Sequence, residues 1–177
     1  MEWQDEGFIL HAQNLGERKQ VVGLFTQSHG RCTGVFSKSQ KTKAWTQCGG
    51  KVKARWGARL DTHIGYWTFE PLPSNAAFLL DAPGPLTALL SASSLCQVVL
   101  PERQAYPRLY ESFEGLLQDL SSPRWIQSYL FFELTLLKEL GYGLDLKTCA
   151  VTGATTDLVA VSPRTGRAVC EAAAKPY

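Results

Sequence analysis

Hydrophobic and polar residues alternate through the first part of the chain and then give way to a helical spacing. Gly7-Phe8-Ile9-Leu10-His11-Ala12 and Val21-Val22-Gly23-Leu24-Phe25-Thr26 read as strands joined by the polar turn Gly16-Glu17-Arg18-Lys19. Ser28-His29-Gly30 leads tightly into a third, Cys32-Thr33-Gly34-Val35-Phe36. After a polar loop, Lys51-Val52-Lys53-Ala54-Arg55-Trp56 alternates strictly up to Gly57, so that an extended strand carries three cations on one face and Val52, Ala54 and Trp56 on the other. The short turn Asp61-Thr62-His63 precedes a fifth run, Ile64-Gly65-Tyr66-Trp67-Thr68-Phe69. Short strands in close succession, with glycines where a curved sheet must bend, predict a small closed or nearly closed barrel.

The alternation stops at Pro71-Leu72-Pro73-Ser74, and a domain boundary is expected between there and Gly84. Pro85 opens a helical period that places Leu86, Leu89, Leu90, Cys96 and Leu100 near one face, and Pro101 stops it. A second helix begins after Pro107 and buries Leu109, Phe113, Leu116, Leu117 and Leu120. Ser122 and Pro123 suit the N-cap and first residue of a third helix, with Gly141 or Gly143 as its stop. Arg124, Gln127, Ser128, Thr135 and Lys138 form a narrow polar stripe on that helix, which is therefore expected at the buried centre of the helical domain. Gly153, Pro163 and Gly166 then punctuate a small hairpin or knuckle. The expected class is α+β: a five-stranded barrel over residues 1–78, a helical domain over 79–146, and a ribbon-like hairpin over 147–177 that ends without a capping element. The oligonucleotide-binding barrel is the first candidate for the strands, and an SH3-like barrel the alternative.

Charge adds a location to this outline. The formal net charge of +2 conceals a split, because residues 1–78 carry ten Lys and Arg against six Asp and Glu, whereas residues 79–177 carry eight against ten. Between Arg31 and Arg59 stand eight cations, Arg31, Lys38, Lys41, Lys43, Lys51, Lys53, Arg55 and Arg59, and no acid. Neighbouring cations on the alternating strand lie roughly 6.6 Å apart, a spacing that can follow successive phosphates. The loop Lys38-Ser39-Gln40-Lys41-Thr42-Lys43-Ala44-Trp45 sets three lysines beside one large aromatic, the combination that sequence-tolerant single-strand binding requires. A solvated strand face, with Trp45 packed on the core, is the competing reading of the same residues.

Other chemistries find less support. The acidic start, Met1-Glu2-Trp3-Gln4-Asp5-Glu6, is not a signal peptide, and Glu133, Lys138 and Glu139 break the richest apolar stretch well short of a membrane span. Five cysteines at scattered spacings argue for a reducing cytoplasm rather than a disulfide framework. Cys32 with His29 or His63 lacks any local nucleophile signature, and Glu17, Asp61 and Glu70 are too scattered for a metal-dependent nuclease centre. No phosphate-binding loop with its lysine is present, so no enzyme, nucleotide or cofactor is expected.

The motifs resemble one family. Trp3-x-Asp5-Glu6-Gly7-x-Ile9-Leu10, His29-Gly30-Arg31 and Trp56-x-Ala58-Arg59-Leu60 look like the N-terminal barrel of RecO, the bacterial recombination mediator, in its proteobacterial form. Leu100-Pro101-Glu102-Arg103, Pro107-Arg108-Leu109-Tyr110, Gly141-Tyr142-Gly143-Leu144-Asp145, Cys149-Ala150-Val151-Thr152-Gly153 and Ser162-Pro163-Arg164-Thr165-Gly166-Arg167 continue the likeness in order. The resemblance implies an oligonucleotide-binding barrel followed by a helical domain with a zinc-ribbon-like insertion. It also implies binding of single- and double-stranded DNA, annealing of complementary strands, and work with RecR and the tail of single-stranded DNA-binding protein to load RecA. The basic face from Arg31 to Arg59 is where the family's DNA contacts would fall. Two departures stand out. Some relatives hold zinc with two C-x-x-C pairs, but here the pairs read Cys149-x-x-Thr152 and Cys170-x-x-Ala173, so no zinc is expected. Relatives also continue with further helices, so a chain ending at Tyr177 would leave part of the third helix's apolar surface uncovered.

Overall fold

The computed structural model describes residues 1–60, 63–74 and 81–174, without the side chains of Gln40, Lys41 and Lys43. The turn at Asp61-Thr62, part of the expected boundary after Pro71, and the last three residues lie outside the described set. The chain divides into two compact units, Met1–Phe132 and Glu133–Tyr177.

In the first unit, β1 (Glu2–Leu15), β2 (Lys19–Thr26), β3 (Gly30–Ser37), β4 (Lys51–Gly57) and β5 (Gly65–Pro71) close into a barrel with neighbours in the order β1-β2-β3-β5-β4. All pairings are antiparallel except β3 with β5, the parallel contact that shuts the barrel. β1 is longer than its hydrophobic run suggests because it serves two partners. Its first half pairs with β4 and its second with β2, and a bulge between Ile9 and His11 bends it from one to the other. Alternation sorts the side chains as expected on β4: Val52, Ala54 and Trp56 join Ile9, Val22, Leu24, Cys32, Phe36, Trp67 and Phe69 inside the barrel.

A 3₁₀ helix, Gln40–Thr46, links β3 to β4, and three longer helices follow: α1 (Pro83–Val99), α2 (Pro107–Asp119) and α3 (Trp125–Glu139). Within the first unit the barrel and helices share a core. Phe8 and Phe25, directly opposite each other on the barrel's outer face, pack on Tyr110 and Phe113 of α2 with ring centroids 5.4 to 6.0 Å apart. Burying each such side chain stabilises by roughly 1.5–3 kcal/mol. Helix α1 lies against β1, with Ala88, Leu89, Ala92, Ser93 and Cys96 buried. Of the face read from the sequence, Leu89, Cys96 and Leu100 are buried and Leu90 is not. At Gly30 the backbone has φ +68°, and a Cβ there would stand 1.7 Å from the Gln104 carbonyl oxygen. Only glycine fits this turn.

Helix α3 corrects an expectation. Phe132 and Leu136 are buried, Phe132 against Phe113, but Ile126, Leu130, Phe131, Leu134 and Leu137 are all exposed. The helix is therefore not a buried centre, because an apolar period identifies faces able to be covered and does not supply what covers them. Its end is as expected: Gly141 adopts φ +86° and Tyr142 N–H donates to the Leu137 carbonyl at 2.8 Å, a left-handed helix stop.

The second unit carries β6 (Leu158–Val161), antiparallel to β7 (Ala168–Cys170), and a single turn, α4 (Glu171–Ala174). Cys149, Val169 and Cys170 form its small core.

Candidate nucleic-acid interface

The outer row of β4 is not acid-free once its neighbours are in place. Residues directly opposite in a sheet point to the same side, and across from Lys53 stand Glu6 on β1 and Glu70 on β5. Arg55 lies opposite Gln4 and reaches Glu2, which draws the Glu2 carboxyl below its ordinary range. Both partners are more than half exposed, so this pair holds Arg55 only weakly. Lys51 is different. Its ammonium donates to Glu114 of α2 at 2.8 Å, lies 3.4 Å from Glu6 and sits 5.6 Å from the centre of the Phe8 ring. The hydrogen bond to Glu114 raises its pKa, and the side chain is a tie between barrel and helix.

Arg31 is also used internally. Its Nε donates to the Leu100 carbonyl at 2.7 Å and its Nη1 lies 3.3 Å from Glu102, while Arg103 N–H donates to the Arg31 carbonyl. Of the remaining cations picked out by sequence, Lys53 and Arg59 are exposed and have no ion pair among the described residues. Lys38 donates to Asn14 Oδ1 at 2.7 Å. Lys41 and Lys43 lie on the 3₁₀ helix, and their side chains are outside the described set. Trp45 is half-buried and packs against the barrel core.

Two cations outside the Arg31–Arg59 stretch join Lys38. Lys38 N–H donates to the Arg18 carbonyl, and Lys19 stands opposite Ser37, so the β1–β2 turn and the end of β3 bring Arg18, Lys19 and Lys38 together. Thr46 Oγ1 donates to Gln20, which seats the 3₁₀ helix beside the same hairpin. The Lys19 ammonium lies 5.9 Å from the ring centre of Tyr66 on β5, a large aromatic that is 59% exposed. The polar turn was legible in the sequence, but its adjacency to Lys38 depends on the β2–β3 register.

The sites considered for other chemistry are arranged differently. Cys32 Sγ donates to the His29 backbone oxygen, and burial pushes its thiol up to about 12, so the imidazole does not activate it. His29 instead stacks on Trp3, with centroids 3.9 Å apart, and its Nδ1 lies 2.9 Å from Asp5 Oδ2. In the second unit the Cys149 sulfur accepts from Thr152 N–H and Cys170 N–H, while Thr152 Oγ1 and Cys170 Sγ are 3.3 Å apart. Hydrogen bonding, first from the Thr152 side chain, draws the Cys149 thiol down to about 6. Two thiols and a hydroxyl do not fit a tetrahedral structural zinc, and among the described residues no group of three His, Cys, Asp or Glu could hold a metal.

A closed five-stranded barrel in this strand order, bearing outward cations and followed by helices and a ribbon-like hairpin, defines a protein of the oligonucleotide-binding-fold class. The family profile described as "Recombination protein O N terminal" matches residues 1–72, and that described as "Recombination protein O C terminal" matches residues 83–177. A "DNA repair protein RecO" of Caulobacter sp. (strain K31) is 44% identical over 180 residues, covering all of this chain and 74% of the relative. Those of Cereibacter sphaeroides and Dinoroseobacter shibae are 44% and 42% identical, each covering 98% of this chain and 73% of the relative. The chain belongs to the recombination protein O family, a family of DNA repair and recombination proteins.

Proposed function

We propose that this chain acts in DNA repair and recombination by binding single- and double-stranded DNA on the outer face of its barrel and annealing complementary strands. The observation that carries the reading is the gathering of Arg18, Lys19 and Lys38 at one end of the barrel, beside the 3₁₀ helix that bears Lys41 and Lys43. The weakly held Arg55 on β4 and Arg59 just beyond the strand add to this field, while Lys53 stands between Glu6 and Glu70. Arg31 and Lys51 stand apart, since internal partners occupy both. Two complementary strands repel each other, and a cationic face that neutralises one while leaving its bases accessible lowers that barrier. Annealing on this basis needs no ATP and no metal, and the chain is not an enzyme in this reading. RecR, the acidic tail of single-stranded DNA-binding protein, and loading of RecA complete the expected role; family likeness supports them. A site in the cytoplasm accords with this work, and among the described residues no helix is long and apolar enough to cross a membrane.

The test is ATP-free annealing of complementary oligonucleotides, with equilibrium binding to each strand across a salt series. Affinity should fall by about 0.7 log units per log unit of salt for each phosphate neutralised on a single strand. Arg18→Ala with Lys38→Ala should weaken binding and flatten that slope. Absence of binding by the unaltered chain, or annealing that stays equally fast in high salt, sinks the reading.

A further inference from the structure

The DNA-binding reading leaves open what distinguishes an unpaired strand from a duplex, since phosphate contacts alone serve both. Sequence-tolerant recognition of a single strand needs an accessible aromatic face next to cations, because every base has a π-face and only unpaired bases can turn onto a protein ring. Trp45, the aromatic of the basic loop, is half-buried against the barrel core. Tyr66 has the properties Trp45 lacks. It points outward from β5 and is 59% exposed, whereas its strand neighbours Gly65 and Trp67 are buried. Across the sheet it faces Val35 on β3 and Gly57 on β4. Gly57 has no side chain to crowd the ring, and even a Cβ there would meet nothing nearer than Glu2 at 3.9 Å. Val35 is nearly fully covered, so the platform has a firm base on its other side. The Lys19 ammonium stands 5.9 Å from the ring centre, with Lys38 and Arg18 at the same end of the barrel.

Resting on the DNA-binding reading, we propose that Tyr66 is the base-stacking platform that makes the barrel favour unpaired DNA, with Lys19 holding a flanking phosphate. A base laid on the phenol ring brings its own phosphates within reach of the lysine beside it. Charge complementarity selects a polyanion as occupant, and the exposed face of the ring away from Lys19 selects one whose bases are free. Glu2 stands opposite Gly57, and its engagement by Arg55 reduces its repulsion of the strand.

The experiment measures binding of a single strand containing 2-aminopurine and of its duplex, for the unaltered chain, Tyr66→Ala, Tyr66→Trp and Lys19→Ala. Loss of one stacked base lowers single-strand affinity by about 5- to 140-fold. Tyr66→Ala should show that loss with duplex affinity and salt slope unchanged, and should relieve the quenching of 2-aminopurine. Tyr66→Trp should keep both affinity and quenching. Lys19→Ala should weaken single strand and duplex together and flatten the salt slope. If the unaltered chain binds neither DNA, the underlying reading fails. If it binds and Tyr66→Ala binds single strands equally well, or loses single strand and duplex alike, the platform is not Tyr66. Tighter binding of RNA of the same sequence would overturn the assignment to DNA. Because Tyr66 is exposed, its variants should keep the parent's melting temperature, which separates lost contact from lost fold.

Discussion

Arg31 stands first in the basic stretch, yet its guanidinium is engaged inside the molecule. Its donors go to the Leu100 carbonyl and Glu102, groups about seventy positions later in the chain, and no local pattern marks that distant pairing. Arg31→Ala should lower stability by about 1.5–3 kcal/mol, the usual worth of hydrogen bonds to a charged group. The denaturation midpoint would show the loss, while the salt slope of DNA binding should not move. His11 gives a second residue-level expectation. Its ring lies over Gly23, its Nδ1 is buried without a partner among the described residues, and burial, followed by the Arg31 charge, holds its pKa below the ordinary 6.5. The unfolded chain therefore takes up this proton first. Stability present above pH 6.5 is lost as pH falls from there through the depressed folded value. Urea midpoints recorded across that range should decline for the unaltered chain and decline less for His11→Phe; equal slopes would exclude His11 as the source.

At the scale of elements, the strands were legible because period-two alternation and a closed sheet impose the same demand on each residue. β1 shows the limit. Only its apolar middle announces a strand, yet Glu2 to Glu6 are strand as well, since β4 offers them backbone partners and the bulge after Ile9 lets one strand turn between two neighbours. Helix α3 shows the opposite limit, with apolar residues read as buried and found exposed. Ile126, Leu130, Leu134 and Leu137 recur along one side of it and face solvent. An apolar face of this kind should bind a hydrophobic dye, and Leu130→Gln with Leu134→Gln should reduce that fluorescence without lowering the melting temperature. An unchanged signal would place the dye elsewhere.

Across the whole molecule, the sequence determined that a barrel would form, that helices would follow it, and that positive charge would concentrate in the barrel half. These depend on periodicity and composition, which each stretch carries by itself. The family motifs, spread in order along the chain, carry the repair class. Tertiary structure decided which cations remain outward. Register placed acids from β1 and β5 beside the β4 row, α2 brought Glu114 to Lys51, the β2–β3 pairing joined Arg18 and Lys19 to Lys38, and the β3–β5 pairing set Tyr66 beside Lys19. Charge along a sequence is a one-dimensional count, whereas a phosphate meets the sum of fields from neighbours that only strand order and packing bring together.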